Sequence, residues 1–442
     1  MSFATVVLAV SLWVAGVVGA SEGTPSCGIS IDASTYAGPK QAGDALIDQV
    51  FDADPGGCAQ WQVDLSGTFH LDRTLLWDFE EPLVIAGPDG DGTAAHLQAI
   101  PFGAAVLVTH RIVTAEPPDV PDATVGPVTL RRIVVTGGAV QSGVTDNAGG
   151  AVLADVVHLV DSAFEDNTAA TGGAVSARTV HAERVSFVNN RAITGTAVGG
   201  AIRATEHVEL ENVTLRDNAA SSGGAIWLPT AATFTATFVT FVDNAADTGA
   251  HLLRALEGDG PVTLRGVLFG SVDAATAGTA CGGGEFPAAG AGLSMVATFA
   301  TDGTCGDAVV VPDLVEVSSV PFLAGASALP VFDATSSAIA EVECADGLPD
   351  VDQRGVARPQ GERCDAGAVE REVTVTVMTL DPDDPDEPPA AELPEPPAPG
   401  DVPAEDEGWS ALVPRRVPAG DGTCADGCPA FTVPPVGPVP PH

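Results

Sequence analysis

His158 and His181 are the first residues in this chain whose type and spacing could do chemistry. They stand 23 residues apart and sit in similar surroundings, "VVHLV" and "TVHAE". If they came to lie side by side, their imidazoles could hold a metal ion; two outward-facing strand histidines are the plainer reading. A second group comprises Asp166, Asp217, Asp243, Arg184 and Arg216. Close paired carboxylates would serve glycoside hydrolysis. An arginine base beside calcium-holding carboxylates would serve a polysaccharide lyase. Each of these residues recurs at, or next to, an equivalent place in a repeat, so a solvated outer surface explains them equally well. The adjacent pair Asp383-Asp384 falls in a proline-rich tail. Trp61, Trp77 and Trp227 could stack on sugar rings or pack inside a core. Cys424 and Cys428 could begin a zinc site, but no second ligand pair follows nearby. The chain has no GxSxG, HExxH, Walker or dinucleotide fingerprint. The sequence therefore assigns no catalytic, cofactor or metal residue, and weak Ca²⁺ binding by the acidic tail stays open.

The elements that would position these side chains announce themselves by repetition. Gly-Gly-Ala recurs with its second glycine at Gly150, Gly173, Gly200 and Gly224. An apolar residue followed three places later by asparagine recurs at Phe164/Asn167, Phe187/Asn190, Leu215/Asn218 and Phe241/Asn244. The asparagines step by 23, 28 and 26 residues. Two motifs marching at one period indicate stacked repeats. Between them Val, Thr, Ala and Phe dominate, which favours strands. Apolar columns lie two, five and seven places before each Phe or Leu, and a polar column lies six before. That is strand alternation interrupted once, as a bend would do. A parallel β-helix accounts for it: the Phe/Leu column stacks inside, the asparagines form an amide ladder at a corner in left-handed conformation, and the glycines supply a second corner.

Composition bounds the partners. The chain has 442 residues, 18 basic against 59 acidic, and a formal charge of −41. Such a surface repels nucleic acid and anionic lipid. Residues 1–20 read as a secretory signal peptide, apolar from Ala4 to Val18 with small residues Val18 and Ala20 before Ser21. No later stretch is long and apolar enough for a membrane-spanning helix. Eight cysteines in an exported chain read as disulfides. Sequence neighbours are the expected pairs: Cys27–Cys58, Cys281–Cys305, Cys344–Cys364 and Cys424–Cys428. Other connectivities stay open.

The paired motifs over residues 137–250 resemble the polymorphic outer-membrane protein repeats of chlamydial type, whose signature couples Gly-Gly-Ala-Ile with Phe-x-x-Asn. The resemblance implies a right-handed, pectate-lyase-like β-helix at a bacterial surface, associated with adhesion. Residues 350–370, "DVDQRGVARPQGERCDAGAVE", resemble the closing segment of exported β-helix proteins of the choice-of-anchor type. Asp352, Gln353, Arg354, Gly355, Arg358, Pro359, Cys364, Asp365, Gly367 and Glu370 carry that match. There, Arg–carboxylate pairs and a Cys344–Cys364 bridge would suit a cap over the last coil. "VIAGPDGDGTAAHLQA" (84–99) resembles the first coil of such proteins.

The expected organisation is a signal peptide (1–20), an N-terminal cap and first coils (21–125), a repeat region (126–335), a C-terminal coil and cap (336–372), and a disordered acidic Pro-rich tail (373–442). The expected fold is all-β, a single-stranded right-handed parallel β-helix of roughly ten coils. The expected function is a secreted or surface-associated, non-catalytic structural or adhesive protein. Its ligand would be polysaccharide or a cell-surface protein, with oligomeric state open. The alternative is a lyase or glycoside hydrolase on the same scaffold, which would show a coil breaking the repeat with a charged cluster in a groove.

Overall fold

A computed structural model describes the chain from residue 26 to residue 372 in large part. Residues 1–25 and 373–442 lie outside the described residues, as do internal stretches including 109–125, 248–260, 271–292 and 301–307. The signal segment, the Cys281–Cys305 and Cys424–Cys428 pairs, Asp383-Asp384 and the acidic tail therefore fall outside the description. The chain divides into two units, Met1–Val375 and Thr376–His442, and the described residues all belong to the first.

The period of the sequence becomes a stack of parallel strands. One line of directly paired residues runs Cys27, Trp61, Leu83, Val128, Val157, Val180, Val208, Phe234, Val262 and Leu293. These are the rungs of coils 1 to 10, and every pairing is parallel, so the fold is a parallel β-solenoid. Equivalent residues lie about 4.8 Å apart from coil to coil, which is why like residues meet. A second line runs Phe69, Leu97, Val135, Phe164, Phe187, Leu215, Phe241 and Phe269. The Phe164 and Phe187 rings stack at 5.3 Å, and Phe241 and Phe269 at 5.0 Å. All are essentially unexposed. Each such side chain contributes about 2–3 kcal/mol by leaving water, a gain no single coil could collect alone. The helix Pro39–Leu46, started by its proline, buries Ala42 and Leu46 at the N-terminal end of the stack. The Cys27–Cys58 disulfide ties coil 1 to the approach of coil 2.

The corners follow from backbone conformation. The single bend in each repeat is a left-handed residue three places before the Phe or Leu: Asp161, Arg184, Asn212 and Phe238, with φ of 47°, 51°, 52° and 53°. The asparagine ladder is continuous and buried. Asn167 Nδ2 donates to Asn190 Oδ1 at 3.0 Å, Asn190 Nδ2 to Asn218 Oδ1 at 2.9 Å, and Asn218 Nδ2 to Asn244 Oδ1 at 2.9 Å. Each Oδ1 also accepts the backbone N–H of the asparagine one coil earlier. The ladder asparagines are not themselves left-handed, a correction to the sequence expectation. The positive φ belongs to the residue before each: Asp166 at 56°, Asn189 at 53°, Asp217 at 56° and Asp243 at 52°. A buried amide is needed to link the coils, and the less buried neighbour takes the turn. The paired glycines divide labour similarly. Gly199 has φ of 68°, whereas a Cβ on Gly200 would stand 1.8 Å from the Gly224 carbonyl oxygen. Gly150, Gly173 and Gly224 occupy the same crowded column.

The C-terminal segment departs from expectation. Residues 350–370 do not cap the last coil; they form a strap along one side of the stack. The strap begins with an antiparallel hairpin, Glu316–Val320 against Leu329–Phe332, and continues through residues 348–372. Ala324 N–H donates to Gly92 O at 2.7 Å in coil 3, and Ser327 N–H to Glu165 Oε1 at 2.6 Å in coil 5. Further along, Thr214 Oγ1 donates to Gln353 Oε1 at 2.6 Å, Ala368 N–H to Thr240 Oγ1 at 2.9 Å, and Gly367 N–H to Gly266 O at 2.8 Å in coil 9. The outward column Val134, Ala163, Ser186, Thr214, Thr240 and Leu268 is buried beneath it. This column is small or apolar because it faces strap rather than water. The strap holds its own shape through the Cys344–Cys364 disulfide and a buried Arg358–Glu370 pair at 2.7 Å. Asp352, which accepts from the Arg354, Val356 and Glu370 backbone N–H groups, does the same. Burial works against both charges of the Arg358–Glu370 pair, pushing the Glu370 carboxyl up and the Arg358 guanidinium down. Arg358 also lies 4.1 Å over the Phe238 ring and bonds Asn212 Oδ1, so the strap is anchored at the bends of coils 7 and 8.

Candidate functional site

The strand group containing Val157, Val180 and Val208 shows its other face to solvent, and three coils break the pattern there. The outward column six places before the Phe/Leu ladder reads Thr129, His158, His181, Glu209, Thr235, Thr263, in direct register. His158 and His181 stack face to face, with centroids 4.9 Å apart and planes 8° from parallel. The next outward column, eight before the ladder, pairs Thr179 with His207 and His207 with Thr233. Residues two apart on one strand face the same side, so His207 and Glu209 project together from coil 7 beside His181 of coil 6. His181 Nδ1 is 2.9 Å from Glu209 Oε2, and His207 Nε2 is 3.9 Å from the same oxygen. One donor atom from each of the three residues falls within 4.8 Å of the others. Nδ1 of His207 is hydrogen-bonded to Thr233 Oγ1. A bulge lies between Ala177 and Thr179 in the pairing of coils 6 and 7; it absorbs an extra residue and sets His207 in line.

His158, His181 and Glu209 form one side of an open groove of about 220 Å³, with Val160, Glu183 and Glu211 opposite. Burial pushes the Glu211 carboxyl up, reinforced by Glu183, Glu209 and the strap's Asp350, and opposed by Arg184. Burial holds His158 below its ordinary value, and the neighbouring His181 adds to this. Arg184 grips Asp161 through Nε at 2.6 Å and also bonds Glu183. A second hollow of about 290 Å³ follows, between the coils and the strap, lined by Arg132, Asp161, Arg184, Gln353 and Arg354 among others.

The other residues with chemical promise do not converge. Asp166, Asp217 and Asp243 are corner residues of coils 5, 7 and 8; Asp166 accepts from Asn189 Nδ2, and Asp217 pairs with Arg216 at 3.2 Å. Arg216 also bonds the strap's Glu316 at 3.1 Å. The Arg354, Asp352, Arg358 and Asp365 group builds the strap. Trp77 is core, its Nε1 donating to Glu81 O at 3.0 Å. Trp61 packs against the core. Trp227 is half-buried under the Arg203 guanidinium at 5.6 Å. Sequence reasoning placed His158 and His181 together but missed His207, Glu183 and Glu211. The signal for His207 was one column further out than the columns compared. No helix among the described residues is long and apolar enough to cross a membrane. Comparison with known proteins finds no matching family model, no matching curated protein and no matching solved structure.

Proposed function

We propose that this protein is an exported, non-catalytic β-helix that binds extended polymers along its side, polysaccharide foremost, in the manner of the surface repeat proteins its motifs resemble. The observation that carries this reading is the outward face of coils 4 to 9. A line of threonines, Thr129, Thr235 and Thr263, flanks the His158–His181–Glu209 stretch in one register. A polymer laid along the stack would meet one polar rung about every 4.8 Å, with the groove at its centre. Stiff, repeated presentation lowers the entropic cost of binding a long ligand.

Glu211, with its carboxyl pushed up by burial in the groove it shares with His158 and His181, favours a second reading, a carbohydrate-active enzyme using that carboxyl as acid. One experiment separates the two. The chain is incubated with insoluble polysaccharides of several charge and linkage types, and retention and released reducing or unsaturated ends are measured in the same tubes. Retention without product, lost when negative charge is introduced at Thr235 and Thr263 (T235E/T263E), is the expected result. Product that disappears in Glu211→Gln makes it an enzyme. Absence of both signals refutes the polymer-binding reading.

A further inference from the structure

We infer that His181, His207 and Glu209 form a site for a divalent transition-metal ion of the zinc class. Three observations converge on it, none of which depends on polymer binding. The first is the donor set. Two imidazole nitrogens and one carboxylate oxygen on the outer face of two adjacent strands already lie within 4.8 Å of one another. Donors in a tetrahedral zinc site stand about 3.3 Å apart, as metal–ligand bonds of about 2.0–2.1 Å require. The observed 2.9 Å and 3.9 Å contacts to Glu209 Oε2 bracket that value, and the histidine–histidine spacing, within 4.8 Å, would close by side-chain rotation.

The second is the state of His207. Its Nδ1 is engaged with Thr233 Oγ1, which leaves Nε2, the atom facing Glu209, as the free ring nitrogen. Histidine ligands are commonly oriented this way, one nitrogen fixed by a hydroxyl, carbonyl or carboxylate and the other on the metal. Thr233 is thus a positioning residue, one coil beyond the ligand it orients. The third is access. Two of its members, His181 and Glu209, line the open groove, so three protein ligands would leave the fourth position to water or to a group on an incoming ligand. Glu183 and Glu211 on the facing side add negative charge that favours a cation. Nitrogen donors select zinc-class ions over Ca²⁺ and Mg²⁺, which prefer oxygen.

Titration of the purified full-length chain with Zn²⁺ against a chromophoric chelator tests this, with Ca²⁺ and Mg²⁺ as comparison ions. The expected result is Zn²⁺ binding that weakens at least about tenfold in each of His181→Ala, His207→Ala and Glu209→Gln. Thr233→Val should weaken it by a smaller factor, and His158→Ala by less than about twofold. Co²⁺ substitution should give the absorption of a low-coordinate nitrogen–oxygen site, and that absorption should vanish in H207A. Circular dichroism establishes that each variant is folded, which its outer-face position favours. Zn²⁺ binding unchanged in all three ligand variants overturns the inference, as does binding no tighter than that of Ca²⁺.

Discussion

Replacing Asn190 with alanine tests the amide ladder at its centre. Asn190 Oδ1 accepts from Asn167 N and Nδ2 at 3.1 and 3.0 Å; its own Nδ2 donates to Phe164 O and Asn218 Oδ1, both at 2.9 Å. After the substitution Asn167 Nδ2 keeps Val135 O, and Asn218 Oδ1 keeps the backbone N–H of residue 190. The Asn167 N–H and the Phe164 carbonyl each lose a partner in a buried place. A stranded buried polar group costs about 1–3 kcal/mol, so Asn190→Ala should cost about 4 kcal/mol. Asn190→Asp keeps the shape but aims a carboxylate oxygen at two acceptors. Its folded-state pKa must rise above the unfolded value of about 3.9. The native state then binds the proton more tightly, so this variant should come closest to wild type below that pH and fall behind as pH rises through the folded pKa. Asn189→Gly, next door but only half-buried and left-handed at φ 53°, should cost little. Urea unfolding followed by far-UV circular dichroism, with the disulfides intact, reads all three. A loss under about 1 kcal/mol for N190A, or an aspartate variant that gains on wild type with rising pH, would refute the ladder argument.

Further outcomes follow from the same structure. Gly200→Ala places a Cβ 1.8 Å from the Gly224 carbonyl and should cost at least the roughly 3 kcal/mol upper end of ordinary overpacking, read as a drop in melting temperature. Arg358→Met strands the buried Glu370 carboxylate and should cost about 3–5 kcal/mol. Adding Glu370→Gln should recover part of it in the same urea assay. Burial pushes the Glu165 carboxyl up, so its contribution is greatest below the unfolded pKa and declines as pH rises through the folded one. Glu165→Gln, which keeps an acceptor for Ser327 N–H, should therefore be stabilising at pH 7 and near neutral at pH 4; a destabilisation at pH 7 contradicts this.

How much was legible depended on whether a feature repeats. Phe164, Phe187 and Asn190 could be read because each stacks on its own kind, so the sequence writes the three-dimensional contact as a period. The bend at Asp161, Arg184, Asn212 and Phe238 showed as one break in strand alternation. The left-handed residue at the asparagine corner was misassigned because Asp166, Asn189, Asp217 and Asp243 are as suited to that conformation as the asparagines beside them. The strap left no such trace. Its contacts join residues 100 or more positions apart, as in Arg216–Glu316 and Glu165–Ser327, and no periodicity marks them. The small outward column at Ala163, Ser186 and Thr214 was the available hint, since a solvated column would carry long polar side chains. His207 escaped because it lies eight places before Leu215, one column beyond the columns compared.

The strap changes the order in which this molecule can assemble. Coils touch only their neighbours and can add one at a time as the chain is made. The strap is synthesised after them and needs coils 3 through 9 in place before its hydrogen bonds can form. Until it docks, Val134, Ala163 and Leu268 are uncovered on a sheet face open to other chains. Docking is thus a late, non-local and slow event, and it converts a stack that could fray rung by rung into one that must open as a whole.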